Sequence, residues 1–399
     1  MATPITGAIS FSDLNTALGL TSTATVSLND TAVRQLSNQL SGTATLNNAH
    51  ASASINSTTT NVNLISGIFG SSSTVTTYNV RIPSSVTVGA TSGNNALTTG
   101  QFPSGSTIVI NNYGAIQAYG GAAAAAGGDA INANYGSQTV TINNQSGATI
   151  YGGGGGGGSG GSGGSGGRGG AGGGGYYTSS GINYYYTGCC RWTVINYRHC
   201  FPNYIFIRVG GACLTPYTGG YYTTYVYGYY RGALQSFSSC CCACVATFQL
   251  GIPYSNTIYT SGGSGGSGGA GGGGGTGGVG QGYGQSNTTG SVGAGGSGGS
   301  AGGAGGTNAG AGGSGGTGGT GGTGGTGGTF GNAGASGATG NAGATGNTGA
   351  SGNNGAGAGG SAGGSGAGGG SGGSAGRYLV KGANSVTLNN SGTVLGGLA

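Results

Sequence analysis

The feature that most constrains this chain is a glycine period of three. Residues 151–175 read YGGGGGGGSGGSGGSGGRGGAGGGG, and a run from Ser261 to Gly376 resumes the theme after an interruption. A non-glycine residue recurs at every third position. Ser159, Ser162, Ser165, Arg168 and Ala171 do so in the first run, and Ser314, Thr317, Thr320, Thr323, Thr326 and Thr329 in the second. A flexible Gly/Ser linker has no need to hold such a period. A helix with three residues per turn, of the polyproline II type, uses it directly, because every third side chain then falls on one face. Such a helix has no internal hydrogen bonds, and ordering glycine is entropically unfavourable. Order therefore requires neighbouring helices that satisfy each other's N–H and C=O groups. Each such bond adds only about 0.5–1.5 kcal/mol net, so many passes must cooperate. The expectation is a packed polyglycine II helix bundle made of antiparallel passes.

Composition removes the competing readings. Of 399 residues 108 are glycine and only 3% are charged. Collagen is disfavoured because all six prolines (Pro4, Pro83, Pro103, Pro202, Pro216 and Pro253) lie outside the periodic runs. So little charge would not keep a disordered chain of this length solvated. The net charge of +6 is scattered over eight arginines and Lys381, so no nucleic-acid footprint is expected. The start, MATPITGAIS, lacks the basic and apolar regions of a signal peptide. No run of 18 apolar residues exists, so no membrane span is expected.

The phase of the period differs along the chain. Residues 312–329 keep two glycines per triplet, which allows close approach on two faces and predicts interior passes. Residues 331–355 keep one, at Gly331, Gly334, Gly337 and onward to Gly355, and are expected at a boundary of the bundle. The slip at Ser300-Ala301 and the breaks at Thr307-Asn308 and Phe330 are expected to mark turns.

The flanking segments are short and mainly β or irregular. Residues 1–50 hold two units, Ile9–Leu18 and Val26–Leu36. In each, Ser10 or Ser27 precedes an Asp by three residues, as in a helix N-cap with a first-turn acid. Gly19 would stop the first helix, and Gly42–Asn48 echoes the opening strand. Residues 51–150 form a β-rich shoulder. Three related segments, 108–116, 140–150 and 386–394, share a strand, an Asn-Asn turn, a Gly and a second short strand. Their recurrence predicts stacked β-coils. The third copy, in a closing β segment 377–399, would bring the chain back to where the glycine region begins.

Residues 176–260 interrupt the 151–376 glycine region. They hold all eight cysteines (Cys189, Cys190, Cys200, Cys213, Cys240, Cys241, Cys242 and Cys244), Trp192 and 16 of the 23 tyrosines. The Cys241/Cys244 spacing suits zinc, but adjacent cysteines crowd such a site and only His199 could add an imidazole. A disulfide-rich insertion without metal is expected, with the pairing open among 105 connectivities. Tyr184, Tyr185, Tyr186, Trp192, Tyr221, Tyr222, Tyr229 and Tyr230 are the candidate recognition residues, since aromatics of this kind offer rigid amphipathic contact area. Packing around cystines is their alternative role.

Two resemblances bear on function. The string GAISFSDLNTALG…ATVSLNDTAVRQL resembles a short N-terminal module of tailed-phage virion proteins. The glycine runs interrupted by loops, over about residues 105–399, resemble the polyglycine II adhesins at the tips of T-even-type long tail fibres. The resemblance implies a virion protein made in the host cytoplasm and acting outside a cell. Residues 1–50 would attach it to other virion tail proteins, and the 176–260 insertion would bind a host glycan or outer-membrane protein. A homo-oligomer is compatible with this. A structural virion decoration or capsid fibre protein is the alternative. Catalysis is not expected: there is no glutamate, Asp13, Asp30 and Asp129 are the only acids, and His50 and His199 lie far apart. No cofactor is implied.

Overall fold

The computed structural model describes residues 2–70, 72–186, 193–201, 204–210, 224–226 and 249–399, with side-chain surroundings described outside 182–253. It is mainly β, with two short α-helices among the described residues. Alternating Val/Ile and Thr runs make short strands that bury one face, and here they stack into coils. The first coil is β1 (Ser52–Ser54), β2 (Thr59–Thr60) and β3 (Val62–Asn63). The second is β4 (Thr77–Ile82), β5 (Thr87–Gly89) and β6 (Leu97–Thr98), and the third β7 (Thr107–Asn112), β8 (Ala115–Gln117) and β9 (Ile131–Asn132). The fourth opens with β10 (Thr139–Asn144) and β11 (Thr149–Tyr151). An excursion then carries β12 (Gly175–Tyr186), the three-stranded sheet of β13 (Thr193–Phe201), β14 (Tyr204–Gly210) and β15 (Thr224–Val226), and β16 (Gln249–Thr260). Only at β17 (Arg377–Val380) does the chain complete the fourth coil, beside β9. β18 (Ser385–Asn390), β19 (Thr393–Leu395) and β20 (Gly397–Leu398) form the fifth.

Successive coils pair in parallel, giving three five-stranded sheets: β1-β4-β7-β10-β18, β19-β11-β8-β5-β2 and β20-β17-β9-β6-β3. Register keeps like residues stacked. Val80, Ile110, Ile142 and Leu388 form one row, and Val88, Ile116, Ile150 and Val394 another. The interior members of these rows are fully buried as far as the fourth coil. Phe69, Tyr78 and Phe102 fill one end with centroid separations of 5.1, 5.9 and 4.5 Å.

The three related segments thus stack as the recurrence predicts, with one difference. Their Asn pairs end the strands and do not form the turns. Asn112 Nδ2 donates to Asn144 Oδ1 and Asn144 Nδ2 to Asn390 Oδ1, at 2.8 and 2.7 Å, inside the coils. Asn111, Asn143 and Asn389 form a second ladder on the outer face, at 2.7 and 2.8 Å. Parallel in-register stacking places each amide above another, so each carbonyl meets an N–H. The turn falls beyond, where Gly147 takes φ +82°.

Residues 2–50 cover the first coils. Ser10 caps α1 (Phe11–Ala17) with a full capping box to Asp13, whose carboxyl these hydrogen bonds hold below its ordinary pKa. Gly19 follows at φ +75°. α2 (Thr31–Leu36) has Asp30, not Ser27, at its N-cap position, and the Asp30 carboxylate makes no bond to the helix but accepts from Ser27 N–H across the preceding turn. Residues 46–49 form a 3-10 turn in place of the expected strand. Leu14, Val33 and Leu36 form a small core of this unit. Asn56 to Ala17 O and Arg81 to Gln35 tie it to the solenoid.

The excursion contains six extended passes, over 152–174, 261–281, 286–306, 309–329, 332–351 and 356–376, linked by hydrogen bonds at every third residue. The first pass donates to the second (Gly163 to Gly272 O, 2.8 Å) and fifth (Gly164 to Asn341 O, 2.8 Å), and accepts from the fourth and sixth. The fourth in turn bonds the first, second, third and fifth. These pairings arrange the passes in two layers, sixth–first–second and fifth–fourth–third, with the first and fourth at the centre. The two-glycine stretch 312–329 is therefore interior and 331–355 has three neighbours, two more than the one its single glycine face suggested. The neighbours' glycines supply the extra room. Turns occur at Thr307-Asn308 and Phe330, but Ser300-Ala301 lies within a pass. The period of three runs unbroken there through Ser297, Ser300 and Gly303 N–H, because the slip puts Ala301 on the solvent side.

The contacts explain the glycine. A Cβ on Gly163 would lie 2.0 Å from Gly319 O, whereas one on Gly298 would meet nothing within 4 Å. Gly163→Ala is expected to destabilise the folded chain by about 3 kcal/mol or more, through forced separation of two passes. Gly298→Ala should raise stability by about 0.4–1 kcal/mol by restricting the unfolded chain. Urea unfolding of both variants checks the pair, and equal effects would refute this account of the packing.

Candidate functional site at the far end of the array

The array has two unlike ends. At the near end the passes meet the solenoid through amides and aromatic rings. Tyr151 packs on Phe330 at 5.0 Å, and Tyr283 covers Gly89, where a Cβ would overlap its ring. Gln285 Oε1 accepts from Gly120 N–H at 3.0 Å, and residues 121–127 lie along the first pass. The chain's return is fixed by Arg377, which donates to Asp129 from its backbone N–H (2.9 Å), Nε (3.0 Å) and Nη2 (2.8 Å). These bonds and the carboxylate charge raise the pKa of the guanidinium.

The far end carries three connections. Two are tight, at Thr307-Asn308 and at Gly352–Gly355. The third is the two-stranded ribbon of β12 and β16, paired antiparallel from Gly175↔Thr260 to Tyr186↔Gln249. The tight turns grip the base of this ribbon. Asn353 Oδ1 accepts from Tyr176 N–H at 2.8 Å, while Asn353 Nδ2 and Asn308 Nδ2 donate to Tyr176 O at 2.9 and 3.1 Å. Thr260 Oγ1 donates to Thr307 O at 2.7 Å. Short polar side chains at the turns thus hold the ribbon where it leaves the array.

Above this clamp Tyr176 and Tyr259 form a cross-strand pair, 6.4 Å between centroids, and are 40% and 70% exposed. Ile258 on the opposite ribbon face is also exposed. None of these three was singled out in the sequence; Asn308 was expected only to mark a turn, and Asn353 was given no role. The Gly-Asn-Asn-Gly string at 352–355 is the signal that could have found the second turn.

The sequence-derived recognition residues are distributed as follows. Tyr184, Tyr185 and Tyr186 lie on β12, opposite Gly251, Leu250 and Gln249, with their side chains outside the description. Cys200 and His199 lie on β13. Trp192, Tyr221, Tyr222, Tyr229 and Tyr230 fall outside the described residues, as do Cys189, Cys190, Cys213, Cys240, Cys241, Cys242 and Cys244. Among the described residues no three His, Cys, Asp or Glu side chains gather as metal ligands, and no helix is long and apolar enough to cross a membrane.

No curated protein and no solved structure matches the chain. A family model does, over residues 43–191, from the last residues of the N-terminal unit through the first three coils, the opening strands of the fourth and the first pass, and into the insertion. The match therefore begins earlier than the 105–399 stretch that carries the architectural resemblance. That model describes the phage tail fibre adhesin Gp38, and over these residues the chain is similar to a tail-fibre adhesin of a phage virion.

Proposed function

We propose that this chain is a host-recognition adhesin at a phage tail tip or tail fibre, with residues 176–260 as the receptor-binding element. Its glycine-rich passes act as polyglycine II helices, a scaffold that holds this element away from the solenoid. The carrying observation is the ribbon. It leaves the far end of the array, is clamped there by Asn308 and Asn353, and joins residues 187–248 to the scaffold. The hydrogen bonds at every third residue support the polyglycine II reading, since a three-fold helix repeats its faces at that interval. Tyrosines at the ribbon base and within the insertion suit contact with a glycan or an outer-membrane protein, and cystines would staple the insertion.

Attachment to other tail proteins is assigned to residues 1–50. Phe11, Leu20 and Leu40 are 43%, 46% and 55% exposed on this small unit, apolar area that a docked tail protein would cover. The chain is read as non-enzymatic, because its three acids serve Ser10, Ser27 and Arg377.

Replacing residues 187–248 by an Asn-Gly turn would close the ribbon as a hairpin. Particles carrying that variant are expected to assemble normally and to lose adsorption to the host. Adsorption at the wild-type rate would sink the proposal. Asn353→Ala removes two of the three bonds to Tyr176. Hydrogen exchange at the Tyr176 amide, which donates to Asn353 Oδ1, should rise by about tenfold, the equivalent of one lost hydrogen bond of about 1.4 kcal/mol, while exchange in the central passes stays constant.

A further inference from the structure

We propose that Arg81, Asn111 and Tyr113 form a binding site for a small anion, a halide or a carboxylate, on the outer face of the β4-β7-β10-β18 sheet. The outer asparagine ladder donates in one direction along the coils. Asn389 Nδ2 donates to Asn143 Oδ1, and Asn143 Nδ2 donates to Asn111 Oδ1. With its oxygen turned toward the fourth coil, Asn111 presents its Nδ2 to the second. That nitrogen has no hydrogen-bond partner, although the residue is only 1% exposed. The in-register residue of the second coil is Arg81, about 4.8 Å away across the sheet. Arginine carries donors and no acceptor. A row of donated hydrogen bonds thus ends against a cation.

Nothing else among the described residues supplies the missing acceptor. Arg81 donates from Nε to Gln35 Oε1 at 2.8 Å and from Nη1 to Ser54 Oγ at 3.2 Å, and meets no carboxylate. All three acids of the chain are engaged elsewhere, with Ser10, Ser27 and Arg377. Tyr113 follows two residues after Asn111, and its hydroxyl is buried without a partner. Burial lowers the pKa of Arg81 and raises that of Tyr113, and the charge of the guanidinium acts on the phenol in the opposite sense. The two groups therefore sense each other across the same half-buried space. An amide N–H, a guanidinium and a phenol O–H thus share the outer face at adjacent register positions, and an acceptor-only anion between them would satisfy all three. Asn79 Oδ1, also unpartnered, sits two residues before Arg81 beside Val109. It is an acceptor, so it bounds the site on one side and would be served by a water.

The site lies where α2 meets the solenoid, since Gln35 shares the Arg81 guanidinium. Bound anion would then strengthen the joint between the N-terminal unit and the coils.

Bromide-soaked crystals of the full chain test the assignment by anomalous scattering. A peak within hydrogen-bonding distance of Arg81 and Asn111 Nδ2 is expected, and formate in excess should displace it. Bromide retained against formate would overturn the carboxylate half of the assignment. In solution, the chloride-35 resonance should broaden with the wild-type chain, and Arg81→Gln should remove at least half of that broadening. Tyr113→Phe, which keeps the ring, should weaken it less. Equal broadening by the wild type and Arg81→Gln would overturn the proposal. So would a site holding only water, or a ladder with its amides reversed so that Asn111 Oδ1 accepts from Arg81.

Discussion

The structure depends on backbones approaching closer than a Cβ permits. Across the glycine array, side-chain carbons added at Gly160, Gly163 and Gly166 would lie 1.9–2.0 Å from carbonyl oxygens of the fourth pass. That contact distance is the reason for the composition. A pass with neighbours on both sides needs glycine at two positions of three, and the third is free to carry Ser, Thr or Arg into solvent. The same proximity lets N–H and C=O groups of neighbouring passes meet at 2.7–3.0 Å, and hydroxyls on the third position add bonds between passes, as Ser300 Oγ does in accepting from Ser267 N–H. Because no pass gains a bond until a neighbour is beside it, order in the array is collective.

Collective order needs a boundary that holds the ends in place, and the solenoid provides it. The chain leaves from β11 and returns at β17, two strands of one coil, so both ends of a 225-residue excursion (152–376) are fixed by parallel pairing to the third and fifth coils. With so few charges available, the junction relies on rings and amides: Tyr151 on Phe330, Tyr283 over Gly89, and Gln281 and Gln285 accepting backbone N–H groups. The single ion pair among the described residues, Arg377–Asp129, sits where the returning chain re-enters. Its arginine is 46% exposed, so its energetic share is modest, and its role is to fix register.

What was legible in the sequence follows from how local its cause was. The triplet period reports the packing directly, because most glycine positions of the passes face a backbone and most substituted positions face solvent. The stacking of 107–117, 139–151 and 385–395 was legible because repeated coils repeat their residues. The first coil carries Ser54 and Ile55, and the second Arg81 and Ile82, where the later ones carry Asn pairs, so they read only as a β-rich shoulder. The role of the Asn pairs was misread, since Asn favours turns and ladders alike and only parallel register selects between them. At the far end, the interruption of the glycine revealed where the period stops. The clamp on Tyr176 remained hidden because its partners, Asn308 and Asn353, lie 132 and 177 residues away.

The same contact rule that builds the scaffold limits what it can bind. Affinity is concentrated in large, desolvated side chains, and the passes must exclude these wherever they touch. Among the described residues of the six passes, Val292 is the one exposed large apolar side chain. Such side chains occur instead on the N-terminal unit, at Phe11, Leu20 and Leu40, and at the ribbon base, at Tyr176, Ile258 and Tyr259, with others on the solenoid. A chain that needs both a stiff spacer and contact surfaces therefore cannot distribute contact surface along the spacer. It must place recognition where the glycine period stops, and in this molecule the longest such break opens at the far end, between β12 and β16.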